Sequence, residues 1–223
     1  LVDLLASVGT DAAVALLSSL LSRNSDKKRP AMADGILLLV ELLISGTAVA
    51  QSAAARVVWT ATPNNDDIRL TIAKAGAIVP LVELVVSGSR TSKVNAAGAL
   101  SNLSCNAATR TAIAEAGAIP PLVKLAKSGI ADSDLAVSAL CNLAFDNTAN
   151  ASVMAEAGAI PVFVEQLTSG SNFARTRAAR ALAHLAASHQ VAVVEAGTLP
   201  LLIDLLNEGH LSPKAHEIVA TAL

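Results

Sequence analysis

The chain has 223 residues, 16 Lys and Arg against 18 Asp and Glu, and a formal net charge of −2; 53% of it is hydrophobic but only 2% aromatic. That balance gives no global case for binding nucleic acid, whose binders usually carry a basic face or stripe. The longest apolar run, residues 36–44, is interrupted by Glu41 and is too short to span a membrane, and no secretory signal opens the sequence.

In chain order, residues 1–21 read as the second and third helices of an incomplete first unit. Residues 22–33 read as a loop and weak first helix around the basic run Asp26-Lys27-Lys28-Arg29-Pro30, a solvated loop in preference to the alternative, a localisation signal. Then comes Asp34-Gly35-Ile36-Leu37, a worn copy of a marker that recurs three times more clearly. Its better copies are Ala75-Gly76-Ala77-Ile78-Val79-Pro80, Ala116-Gly117-Ala118-Ile119-Pro120 and Ala157-Gly158-Ala159-Ile160-Pro161. A weakened form, Ala196-Gly197-Thr198-Leu199-Pro200, closes the series. The marker glycines step by 41, 41, 41 and 39 residues (35, 76, 117, 158, 197). A fixed period of this size marks a stack of helical units, not one globular core. Gly ends a helix because it accepts the left-handed conformation just past the last turn. Pro opens the next because its missing N–H has no partner there anyway. Each marker is therefore a corner between two helices.

A second break follows 11 or 12 residues after each marker glycine, at Gly46, Gly88, Gly129, Gly170 and Gly209. The type unit thus holds a short helix over 107–116 and a second from Pro120 with Leu122, Val123, Leu125 and Ala126 on one face. A longer third helix covers about 133–144, with Val137, Leu140 and Leu143 buried. Three helices per period give one array of units at about 1–31, 32–72, 73–113, 114–154, 155–193 and 194–223, the outer two incomplete. The chain opens inside a unit and ends inside a third helix begun by Ser212-Pro213, so more chain is expected beyond it. Cys105 and Cys141 both read as buried reduced thiols within apolar helices, in keeping with an intracellular protein, cytoplasmic or nuclear.

The segments at 117–129 (GAIPPLVKLAKSG), 96–104 (AAGALSNLS), 136–144 (AVSALCNLA) and 177–186 (RAARALAHLA) resemble armadillo-repeat sequence. The resemblance extends over the whole chain. It implies an all-α fold, a right-handed α–α superhelix (armadillo-type solenoid) of three-helix repeats. It also implies a concave groove, lined by the third helices, that binds extended peptide.

No catalytic constellation is present: there is no GxSxG, phosphate loop or HExxH, and the four histidines have no metal-ligand spacing with the cysteines. The expectation is a non-catalytic binding scaffold or adaptor, without cofactor, metal or small-molecule substrate. Two alternatives stand beside it: the substrate-recognition region of a larger U-box ubiquitin ligase, and an architectural subunit of a large assembly.

The informative position lies near the end of each third helix, where the units align Ser19, Ala61, Asn102, Asn142, His184 and Ala222. Asn offers a donor and an acceptor and so can bond one peptide unit at both its N–H and C=O. The resemblance implies that such asparagines hold the backbone of an extended ligand; the competing role is to satisfy nearby loop backbone. Positions three or four and seven residues earlier share that face. The rows are Ala54, Val57, Ala61; Asn95, Gly98, Asn102; Leu135, Ser138, Asn142; and Arg177, Arg180, His184. The expected groove residues are Asn95, Gly98, Asn102, Ser138, Asn142, Arg177, Arg180 and His184. Its chemistry should change from apolar, through small and polar, to basic. Arg177 and Arg180, with Arg175 nearby, would grip an acidic residue of the partner, unless they pair with Glu165 or Glu195. Importin-alpha-type adaptors place a Trp four residues before the Asn, where this chain has Val57, Gly98, Ser138 and Arg180. Trp59, the single tryptophan, is off that register, which argues against a receptor for nuclear-localisation signals.

Overall fold

The computed structural model describes residues 29–63, 65–128 and 134–207, together with Glu217. Among the described residues there are twelve helices and no strand. They are α1 (Arg29–Ser45), α2 (Ala48–Ala61), α3 (Asp66–Lys74), α4 (Ile78–Ser87), α5 (Arg90–Leu103) and α6 (Ala107–Glu115). Then come α7 (Ile119–Ala126), α8 (Asp134–Ala144), α9 (Thr148–Glu156), α10 (Ala159–Ser169), α11 (Asn172–Glu195) and α12 (Thr198–Asn207). The expected helices over 1–21, the start of the basic run, the breaks at Gly129 and Gly209, and the Ser212-Pro213 helix start lie outside the described residues.

The chain packs as two compact units, one ending at Gly117 and one beginning at Ala118. In the first, α5 packs most extensively on α2 and on α4. In the second, α11 packs on α10, α8 and α9. Within each unit, α5 and α11 are thus held by the third helix before them and by helices of their own repeat. The seams are lined with Ala, Leu, Val and Ile; Phe163 of α10 is the largest fully buried side chain.

The corners form at Gly76, Gly117, Gly158 and Gly197, whose φ angles lie between 75° and 93°. At Gly158 the N–H bonds the Ala155 carbonyl at 3.0 Å while φ of 77° turns the chain into α10. The prolines sit in the first turn of the helix that follows, one or two residues later than its first residue. Gly35 forms no corner: α1 runs through it from Arg29 to Ser45. The worn marker has no Pro, so nothing interrupts the N–H to C=O ladder, and a mid-helix Gly costs only about 1 kcal/mol against Ala. The second class of glycine acts through size alone. Gly88 is extended, with φ −66° and ψ 167°. A Cβ there would stand 2.5 Å from the Leu84 carbonyl oxygen and 2.8 Å from the Ser92 Cβ.

Third helices are tied to the first helix after them by a buried polar side chain that takes up a carbonyl at the third helix's end. Arg69 Nε donates to Thr62 O at 2.9 Å. Thr109 Oγ1 donates to Leu103 O, and Asn150 Nδ2 donates to Leu143 O at 2.8 Å. These carbonyls are among those an α-helix leaves unpaired at its C-terminus. The 39-residue step has a structural consequence. Short loops separate α5 from α6 and α8 from α9, but α11 combines a third and a first helix across a kink at His189 (φ −132°, ψ 38°). Both cysteines are free thiols; Cys141 is buried, but Cys105 is exposed, because α5 ends at Leu103 and leaves it in the loop beyond.

Candidate functional site

In the first unit, α2 and α5 start at side-chain caps. Thr47 accepts from the Ala50 N–H, and Ser89 from the Ser92 N–H. The row Ala54, Val57, Ala61, expected on the groove, is instead buried at 2%, 1% and 3% exposure. Ser52, Arg56 and Trp59 of α2, displaced from that row, are half-exposed instead. Two asparagines of α5 reach back to this surface. Asn95 Nδ2 donates to the Ser52 carbonyl at 3.1 Å and to its hydroxyl at 3.2 Å. Two turns later Asn102 Nδ2 donates to the Trp59 carbonyl at 2.7 Å. That carbonyl lies in the last turn of α2, where the helix supplies no partner. Between the two asparagines lies Gly98. A Cβ built on it would come within 2.7 Å of the Trp59 ring, so glycine is what lets the indole lie across α5. Trp59 therefore belongs to this surface despite its register. The signal in the sequence is that Gly98, alone among the third-helix positions in register with it, has no side chain.

In the second unit, α8 and α11 present different chemistry on the same register. Asn142 Oδ1 accepts from Arg177 Nη1 at 3.3 Å and from Arg180 Nη2 at 3.0 Å. Arg180 Nε donates to Cys141 Sγ at 3.0 Å. The Arg177 guanidinium also stacks on Phe173, 5.0 Å from the ring centroid. His184 meets Phe145 edge to face at 5.1 Å and 74°. Ser138 is buried in α8. Pairing of the arginines with Glu165 or Glu195 does not occur. No carboxylate among the described residues lies within ion-pairing distance of Arg177 or Arg180, whose donors go to an amide oxygen and a thiol. Arg175 points elsewhere, its Nε bonding the Leu167 carbonyl of α10 at 2.9 Å. The structure thus brings Arg177, Arg180 and Asn142 together in one cluster, and Asn95, Gly98 and Asn102 in another with Trp59.

Charge is partitioned between helix classes. The third helices α2 and α5 contain Arg56, Arg90 and Lys93 and no acidic residue. Over its third-helix portion, before the kink, α11 contains Arg175, Arg177 and Arg180 and again no acid. Asp134, at the start of α8, is the exception. The first and second helices, with the part of α11 after its kink, hold ten acidic residues (34, 41, 66, 67, 83, 115, 156, 165, 195, 204) against five basic ones (29, 69, 74, 110, 124). A chain of net charge −2 thus concentrates positive charge on its third helices. No group of three or more His, Cys, Asp or Glu capable of holding a metal occurs among the described residues. No single described helix is long and apolar enough to cross a membrane.

The armadillo/beta-catenin-like repeat family model matches residues 65–105, the stretch containing α3, α4 and α5. Among solved structures, an engineered protein is 30% identical over 100% of this chain and 93% of its own, with a TM-score of 0.85. A computationally designed armadillo repeat protein for modular peptide recognition is 28% identical, covering 95% and 91%, with a TM-score of 0.81. A designed armadillo repeat protein in complex with the peptide (KR)4 is 26% identical, covering 95% and 90%, with a TM-score of 0.79. No curated protein matches the chain.

Proposed function

The chain belongs to the armadillo-repeat family, all-α and built of three-helix repeats, and from that premise we propose that it is a non-catalytic scaffold. It holds an extended, partly acidic segment of a partner protein against its third helices. One observation carries this reading: Arg177 and Arg180 stand side by side on α11 with an amide oxygen, not a carboxylate, as their common partner. A guanidinium pair that has not spent its charge on an internal acid gains most from an incoming carboxylate, which it can grip with parallel bonds. The designed relative that takes (KR)4 has a basic ligand; the basic third helices of this chain call for the opposite sign.

The asparagines supply the sequence-independent part of the grip. Asn102 gives its amide N–H to Trp59, which fixes the side chain and leaves Oδ1 as an acceptor for a ligand N–H. Asn142 Oδ1 is covered by the two arginines, so a ligand carboxylate that draws them away uncovers it for ligand backbone. Packed helices lie about 9 Å apart and an extended peptide advances about 3.3 Å per residue. Two to three ligand residues therefore span one repeat, roughly one anchoring side chain per third helix.

The test is selection from a random peptide library displayed on phage, followed by affinity measurement with Asn102→Ala combined with Asn142→Ala. Selected peptides should be enriched in acidic residues and should bind the double variant about tenfold or more weakly, on the scale of two hydrogen bonds. A selection that returns nothing above background, or undiminished affinity in a folded double variant, removes the reading.

A further inference from the structure

We infer that Arg177 and Arg180 form a subsite for a phosphorylated residue of the bound segment. This rests on the scaffold reading above and deepens it by naming the anion. The parts all belong to the second unit: Cys141 and Asn142 near the end of α8, and Phe173, Arg177 and Arg180 on α11.

Three features fix the chemistry. The first is the charge gathered at one point. Arg177 Nη1 and Arg180 Nη2 both lie within 3.3 Å of the same atom, Asn142 Oδ1. Two cations thus meet over a neutral amide. The part of α11 before its kink contains no acid. Asp134, the acidic residue of α8, lies about two turns before Cys141 and receives the Ser171 hydroxyl instead. A place as narrow as the reach of one oxygen admits one anionic group, because two carboxylates brought that close repel each other. One carboxylate balances one guanidinium and leaves the other uncompensated. A phosphomonoester carries about −1.5 to −2 at neutral pH and balances both.

The second feature is the donor supply. Among the described residues, Arg177 commits only Nη1, and Arg180 only Nε and Nη2. The remaining N–H groups of the two forks exceed what one carboxylate takes up, and a phosphoryl group offers a further acceptor oxygen. The third is that both forks are held. The Phe173 ring, 5.0 Å away, supports the face of the Arg177 guanidinium and leaves its edge for hydrogen bonds. Cys141 and Asn142 hold Arg180 at Nε and Nη2, which leaves Nη1 to a ligand. Forks fixed in this way give up less side-chain freedom when they close on an oxyanion.

The probes are three fluorescein-labelled dodecamers read by anisotropy. One alternates glutamate with serine. The second is the same peptide with a central serine phosphorylated, and the third has glutamate in place of that serine. The wild-type chain should bind the phosphorylated peptide about tenfold more tightly than the glutamate-substituted one. Arg177→Lys with Arg180→Lys keeps both charges but removes the forks. That variant should still bind the glutamate–serine dodecamer, while its preference for phosphoserine falls to about threefold or less. A measurement on the wild type does not depend on how the variant folds. The Nε–H resonances of Arg177 and Arg180, assigned by their loss in the single Lys variants, should both move when the phosphorylated peptide is added. Inorganic phosphate should compete only in the millimolar range. Competition by phosphate at the phosphopeptide's own concentration makes this a free-anion site and overturns the proposal. Equal wild-type affinity for the phosphorylated and glutamate-substituted peptides overturns the subsite and leaves the acidic-segment reading in place. Undiminished preference in the folded Lys variant, or arginine resonances that do not move, has the same consequence. No binding of any of the three peptides removes the subsite and the acidic-segment reading together.

Discussion

The two units solve one packing problem from opposite sides. In the first, the earlier third helix sends a large side chain, Trp59, and the later helix makes room with Gly98. In the second, the earlier helix offers a short amide, Asn142, and the later one reaches back with Arg180 at the position in register with Gly98. The amides change roles too. Asn95 and Asn102 donate backwards to α2, whereas Asn142 accepts from α11. The repeat fixes where neighbouring third helices meet, but the pair of side chains at each meeting decides whether an aromatic, an amide or a guanidinium faces outward. A position therefore has no groove chemistry by itself; it acquires one from its partner a repeat away.

The most severe way to break this pairing is Gly98→Val. The added carbons would overlap the indole, with its nearest ring atoms only 2.7 Å from the Cβ, against a backbone that cannot retreat. Overpacking of this kind costs about 1–3 kcal/mol. Gly98→Val should lower the urea midpoint accordingly and shift Trp59 emission, and Trp59→Ala in the same chain should restore part of the loss. Equal losses with and without Trp59 would show that the ring does not rest on Gly98.

A corner substitution tests what the units have in common. Gly158→Val places a β-branched residue at φ 77°, a conformation it strongly resists. The expected loss exceeds the ~1 kcal/mol of an ordinary mid-helix Gly change. By contrast, Gly35→Ala should be neutral or slightly stabilising, because Gly35 is inside α1 and its Cβ would meet nothing within 4 Å. Thermal melts of the two variants distinguish a working marker from a worn one.

A smaller effect is expected for Asn102→Ala, which leaves the Trp59 carbonyl without its donor. About 1 kcal/mol of stability should be lost, with a change in Trp59 emission that Asn142→Ala does not produce. Identical emission in the two variants would mean that Asn102 does not hold the end of α2.

Much of the fold was legible because it depends on residues with a single conformational meaning. The glycines at 76, 117, 158 and 197 mark left-handed corners, and the prolines after them mark helix starts. Gly35 keeps the period of the marker but not its Pro, and without Pro it carries no instruction to stop. The missing loop in α11 was present in the 39-residue step, as two or three residues fewer between His184 and Gly197 than between the matching positions of the earlier repeats. The surface was harder to read. Helical spacing placed Ala54, Val57 and Ala61 on the groove, but α2 turns that row into the core and shows Arg56 and Trp59 instead. Spacing along one helix cannot reveal its rotation against a neighbour. That rotation is set by pairs such as Trp59 with Gly98, separated by most of a repeat. The same limit hid the bond from Arg180 to Cys141, whereas the stacking of Arg177 on Phe173, four residues apart on α11, follows from helical spacing alone.

The central claim is that the basic third helices receive an acidic segment. Its most direct measurement is the affinity of the glutamate–serine dodecamer for the wild-type chain and for Arg177→Glu with Arg180→Glu, in low and moderate salt. The account predicts binding by the wild type that weakens as salt rises, since screening acts over about 8 Å at physiological ionic strength. In the variant, it predicts affinity reduced about tenfold or more at low salt and a flatter salt dependence. Equal affinity and equal salt dependence in the two proteins would contradict it and make the arginine pair ordinary solvated surface.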